Sequence, residues 1–167
     1  MLFHVSEDPG IGRFEPRATG GASEPLVWAI DGPRLRNYLV PRDCPRVTCY
    51  AGPATTSADV GRFLGRSAAV VAIEWGWFSR VRSSRLYCYH LPGESFECRD
   101  ACAGYFVSRA PVVPVRVETI DDPIDRWSRG GVELRVVSNL WPLRDAVVAS
   151  SLLFSMIRMH NALPREA

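Results

Sequence analysis

His4 and Ser6 stand two residues apart in the opening stretch Leu2-Phe3-His4-Val5-Ser6. The stretch alternates and reads as a strand, so the two side chains share a face. The imidazole can bond a ribose hydroxyl or a carbonyl, and the serine hydroxyl can hold an amide or a sugar. The acidic turn Glu7-Asp8 comes next, then Phe14-Glu15-Pro16-Arg17, whose guanidinium suits a phosphate. Imidazole, hydroxyl and guanidinium around one strand are the groups an anionic or sugar-bearing ligand needs. The plainer reading makes His4 a satisfied histidine at a sheet edge, Ser6 the cap of the Glu7-Asp8 turn, Phe14 a core anchor and Arg17 a solvated cation.

Four further constellations carry candidate chemistry. Trp28 and Tyr38 flank a strand-turn-helix and are spaced to line a stacking pocket for a flat ring, or to sit as two core aromatics. Arg42 and Arg46 lie four apart in Pro41-Arg42-Asp43-Cys44-Pro45-Arg46, a rigid segment suited to a phosphate pair unless Asp43 clamps one of them. Glu74 and Glu118 each close a predicted strand, where a carboxylate orients a ribose, acts as a base or makes a plain salt bridge. Ser155, Arg158, His160 and Asn161 gather near the carboxy-terminus, where Arg158 either satisfies the last carbonyls of a helix or closes over a site.

The elements that must position these groups are short. Strands are predicted over 2–6, 26–30, 46–50, 69–74, 86–91, 96–99, 104–107, 112–118 and 132–137. Asp31 is the expected N-cap of a short helix carrying Leu35, Tyr38 and Leu39 on one face. Thr56 or Ser57 caps a helix ending near Gly65, Trp75-Gly76-Trp77-Phe78 opens one or two helical turns, and Asp122-Pro123 starts another helix. Residues 143–161 suit a helix with Leu152, Leu153, Met156 and Met159 apolar, and residues 18–25 read as a flexible loop. Strands and short helices mix without βαβ repetition, which implies an α+β fold with a mixed or antiparallel split sheet in a single domain, 1–167.

Composition narrows the classes. The chain has 167 residues, of which 47% are apolar, and a net charge of +2. That is ordinary for a soluble globule and argues against a strongly electrostatic nucleic-acid binder. All basic residues are arginine, as a GC-rich genome or selection for bidentate anion recognition produces. Cys44, Cys49, Cys88, Cys98 and Cys102 are odd in number and unevenly spaced. They predict neither a disulfide framework nor a metal site, but reduced, mostly buried thiols. No apolar run is long enough for a membrane span, and no basic region followed by a long apolar stretch opens the chain, so a cytoplasmic location without membrane partners is expected.

The motifs H-x-S-E-x-P-x-I-x-x-F-x-P-R, V-W-A-I-D, Y-L-V-P-R-D-C-P-R-V, A-G-Y-F-V-S-R, W-P-L-R-D-A-V-V-A-S and F-S-M-I-R-M resemble an uncharacterised bacterial family over nearly the whole chain. More distantly, over about two thirds of the chain, the organisation is similar to the ADP-ribosyltransferase-like superfamily. His4 matches that superfamily's first strand, Trp28-Ala29-Ile30-Asp31 with Asn37-Tyr38 its second element, and Gly104-Tyr105-Phe106-Val107 with Pro111–Val115 its third. The resemblance implies that His4 binds the nicotinamide ribose of NAD, Tyr38 stacks on the nicotinamide and Ser6 sits by the carboxamide or ribose. Arg17, Arg42 and Arg46 would then hold the pyrophosphate. Gly104 stands where many transferases carry glutamate, so Asp100 or Glu118 would have to substitute, or the chain follows the RNA phosphotransferase branch, or it only binds.

Three functions follow as expectations. The first is binding, with transfer or hydrolysis, of NAD or an ADP-ribose-type nucleotide, with a protein or RNA end as acceptor. The second is a non-catalytic nucleotide or RNA-end module. The third is an interaction domain presenting Trp75, Trp77 and Phe78.

Overall fold

β-Branched and aromatic residues fill the apolar runs of this chain and favour strands. The computed structural model describes residues 1–18 and 24–165. The chain opens with β1 (Leu2–Ser6), β2 (Val27–Ile30) and a 3-10 turn, Leu35–Tyr38. It continues through β3 (Arg46–Tyr50), a single turn α1 (Ser57–Asp59) running into a π-turn (Val60–Leu64), β4 (Ala69–Glu74) and α2 (Trp75–Arg82). Four strands follow: β5 (Leu86–Leu91), β6 (Glu97–Asp100), β7 (Tyr105–Ser108) and β8 (Arg116–Ile120). The last elements are α3 (Pro123–Arg129), β9 (Val132–Val137), α4 (Trp141–Val148), β10 (Leu153–Ile157) and a 3-10 turn, Met159–Asn161. The fold is α+β, with two sheets and short helices.

Two compact units form, Met1–Leu39 with Arg85–Asp121 and Val40–Ser84 with Asp122–Ala167. The first holds a six-stranded sheet, β6-β7-β2-β1-β5-β8, antiparallel throughout. One face of this sheet carries its core: Leu2, Val27, Ala29, Tyr89 and Leu91, closed by Phe14 and Val112. Phe14 and Val112 pair backbone to backbone in both directions. Val112 is therefore an isolated bridge, and the strand expected from 112 begins at Arg116.

The second unit holds β10-β3-β4-β9, with β4 and β9 parallel and the other pairs antiparallel. β4 is buried along its whole length, as a central strand covered on both faces must be. One face packs on Phe63, Leu64, Leu140 and Val147. The Thr56 side chain accepts from the Asp59 backbone N–H, as the capping pattern predicts, and Gly65 ends the π-turn.

Two further expectations are corrected. The helix over 143–161 ends at Val148, and Leu153–Ile157 is a strand paired with β3. The short helix after Asp31 is the 3-10 turn Leu35–Tyr38 with Arg34 at its N-cap, and Asp31 holds the turn ahead of it, its Oδ1 accepting from the Arg34 N–H at 2.8 Å. The loop at 18–25 lies outside the described residues except for Ala18, Glu24 and Pro25. No helix among the described residues is long and apolar enough to cross a membrane.

Candidate functional site

Strand register sorts the predicted residues of the first unit. His4 pairs with Tyr89 and Ser6 with Tyr87, so both lie on the face that carries the core. The His4 ring packs against Phe14, with centroids 4.8 Å apart. His4 Nδ1 lies 3.2 Å from the Trp28 carbonyl oxygen. A carbonyl only accepts, so Nδ1 carries the hydrogen and donates it. The Ser6 hydroxyl accepts from the Asp8 N–H, the turn-capping role.

The opposite face presents two rows. Antiparallel pairing with Phe3 opposite Ile30 sets Val5 beside Trp28, so one row runs Val107, Trp28, Val5, Cys88, Glu118. The next runs Tyr105, Ile30, Phe3, His90, Arg116. Much of this face is half-buried rather than sealed, including Phe3, Trp28, His90 and Tyr105.

At one end of these rows stands an aromatic corner. Trp28 meets Tyr105 edge to face at 5.9 Å, and the Tyr38 hydroxyl donates to the Tyr105 hydroxyl at 2.9 Å. The structure thus brings Trp28 and Tyr38 together through Tyr105, a residue the sequence pattern did not single out for this. The Trp28 indole N–H is buried and finds no hydrogen-bond partner among the described residues. Behind the corner, Arg34 bonds Asp31 and the Cys102 carbonyl, and the Asp31 N–H donates to the Gly104 carbonyl. Gly104 has φ +68°, and a Cβ there would meet the Asp31 carboxylate at 2.7 Å. Glutamate at this position would collide with the turn that holds the corner.

The other predicted groups are dispersed. Arg17 is exposed in the first unit, tied by its backbone to Leu26. Arg42 and Arg46 belong to the second unit. Arg46 is 2% exposed and donates to the Cys44 carbonyl at 2.9 Å. Glu74, 3% exposed, accepts from the Leu140 and Leu163 N–H groups and so serves as a backbone anchor. Asp100 accepts from the Ala103 N–H in an exposed turn.

Arg158 takes a left-handed conformation ahead of the last 3-10 turn, and Asn161 donates to the Asp43 carbonyl. Trp75 is exposed and Trp77 lies under the Arg80 guanidinium. Phe78 lines an open depression of about 550 Å³ with Trp127, Leu134 and Arg66.

Three of the five cysteines are buried, and Cys98 and Cys102 are exposed. Burial pushes the Cys44 thiol up to about 12 and the Cys49 thiol up to about 11. Cys88 has a different setting. Glu118 stands directly opposite it on β8, and His90 lies two residues along β5 on the same face. His90 Nε2 is 3.5 Å from Glu118 Oε2. Cysteine-to-cysteine spacing hid this cluster, and the signal that would have found it is Cys-x-His on a predicted strand.

One family model matches over residues 3–162, that of a family of unknown function, DUF6886. No curated protein and no solved structure matches the chain.

Proposed function

The chain belongs to DUF6886, and we propose that its six-stranded unit binds NAD or an ADP-ribose-type nucleotide at the corner formed by Trp28, Tyr38 and Tyr105. The observation that carries this reading is the corner itself, half-buried and containing an unbonded indole N–H. A flat base or nicotinamide stacks on such rings. A buried donor without a partner costs about 1–3 kcal/mol, which a ligand carbonyl or phosphate oxygen recovers on binding. His4 contributes from the other face, holding the Trp28 carbonyl and with it the strand that carries the indole. Arg17 is an exposed cation of this unit and would meet the phosphates.

Binding, rather than transfer, is the activity proposed. The conformation at Gly104 excludes the glutamate of the transferase pattern. Glu118 is the alternative carboxylate on this face, but it lies three strand spacings from Trp28, about 14 Å at the usual interstrand distance. That is too far to reach the ribose of a nicotinamide stacked at the corner.

Ligand-observed saturation-transfer NMR with NAD and ADP-ribose tests this. The adenine or nicotinamide protons are expected to receive saturation from the protein, and Tyr38→Ala to abolish it while the variant keeps its circular dichroism. Undiminished transfer in Tyr38→Ala, or none in the parent protein, overturns the proposal.

A further inference from the structure

Cys88, His90 and Glu118 form a cluster that the nucleotide reading does not use. Cys88 and Glu118 face each other across β5 and β8, and His90 extends the same face by one step. One ligand atom from each, the thiol sulfur, an imidazole nitrogen and a carboxylate oxygen, lies within 4.8 Å of the other two. The geometry points to a binding site for a zinc-class divalent cation held by these three side chains.

The donor set selects the metal. Thiolate and imidazole favour zinc and its soft or borderline neighbours, whereas magnesium and calcium demand oxygen cages. Zinc bonds of 2.0–2.3 Å in a tetrahedron set neighbouring ligand atoms about 3.5 Å apart, so side-chain rotation by about an ångström closes the cluster. Charge also balances: a thiolate and a carboxylate neutralise a divalent ion, which lowers the cost of burying it. The thiol proton leaves to solvent as the sulfur–metal bond forms. His90 Nε2 is itself buried, makes no hydrogen bond among the described residues and faces the Glu118 carboxylate at 3.5 Å, so a metal between the two would take up a nitrogen that no hydrogen bond holds. The Phe3 ring, edge-on at 5.1 Å, sets the plane of the imidazole. Three protein ligands leave a fourth position for water, the pattern of zinc sites that stay open to chemistry.

Cobalt substitution tests the site. Untagged, reduced, metal-stripped full-length protein is titrated with Co²⁺ and followed by absorption. The expected result is a thiolate-to-cobalt charge-transfer band with tetrahedral ligand-field bands, saturating at one equivalent and displaced by Zn²⁺. Cys88→Ser removes the charge-transfer band. His90→Gln and Glu118→Gln, at half-buried positions that tolerate the change, weaken Co²⁺ binding by at least about 100-fold, beyond the loss typical of supporting residues. Cys98→Ser and Cys102→Ser leave the spectrum unchanged. The proposal is overturned if no charge-transfer band forms at millimolar Co²⁺. It is equally overturned if the band survives Cys88→Ser, if it follows Cys98 or Cys102, or if His90→Gln binds as the parent does while circular dichroism shows it folded.

Discussion

Gly104 shows how a single residue sets the conformation of a turn. Its φ of +68° is a conformation that glycine adopts freely and other residues at a cost of roughly 1–2 kcal/mol. An added Cβ would also press on the Asp31 carboxylate, which is held by Arg34 and by the Arg34 N–H. Gly104→Ala is therefore expected to lower stability by about 2 kcal/mol or more, read as a fall in midpoint on urea unfolding. Adding Asp31→Ala restores only the part due to the clash, because the backbone strain remains. A neutral Gly104→Ala would contradict the conformation. His4 teaches a related lesson. Its type and strand position were legible in the sequence, but its partner, a backbone carbonyl on the neighbouring strand, was not. Sequence shows which side chains share a strand face. It does not show which strands become neighbours.

Among the elements, the strands with clear patterns form where expected: β1, β3, β4, β5 and β9 match their predicted spans. The carboxy-terminal segment does not. Leu152, Leu153, Met156 and Met159 have helical spacing, yet Ala149-Ser150-Ser151 ends α4 and the chain turns back as β10 against β3. The turn is built by polar side chains: Asp59 accepts from the Ser151 hydroxyl at 2.5 Å and from the Ser151 N–H at 2.8 Å. Short apolar runs satisfy both periodicities, and tertiary pairing decides between them. The Ser151 hydroxyl, then the Ser151 N–H, hold the Asp59 carboxyl below its ordinary value. A carboxyl with a depressed folded pKa gives its stabilisation in full above the unfolded value, about 3.9, and loses it as pH falls through the folded one. The melting temperature of Asp59→Asn is accordingly expected to fall less steeply than the parent's below about pH 4. Parallel slopes would show that the clasp does not titrate with the fold.

For the molecule as a whole, the α+β class was legible in the irregular mixture of strands and short helices. The division into a six-stranded and a four-stranded sheet was not, because each unit is assembled from two separate stretches of chain. The candidate site was legible in part. Trp28 and Tyr38 do converge, whereas Arg17 falls in one unit and Arg42 and Arg46 in the other. Glu118, read as a lone carboxylate at a strand end, gains its meaning from register, which sets Cys88 and His90 beside it.

The most direct test of the nucleotide reading is a calorimetric titration of the protein with NAD, ADP-ribose and a 2′-phosphorylated oligoribonucleotide, repeated on Tyr38→Ala and His4→Ala. Saturable binding of NAD or ADP-ribose, lost in Tyr38→Ala and weakened in His4→Ala, is the expected result. Binding of the oligonucleotide alone, or heats from all three ligands no larger than dilution, would contradict it.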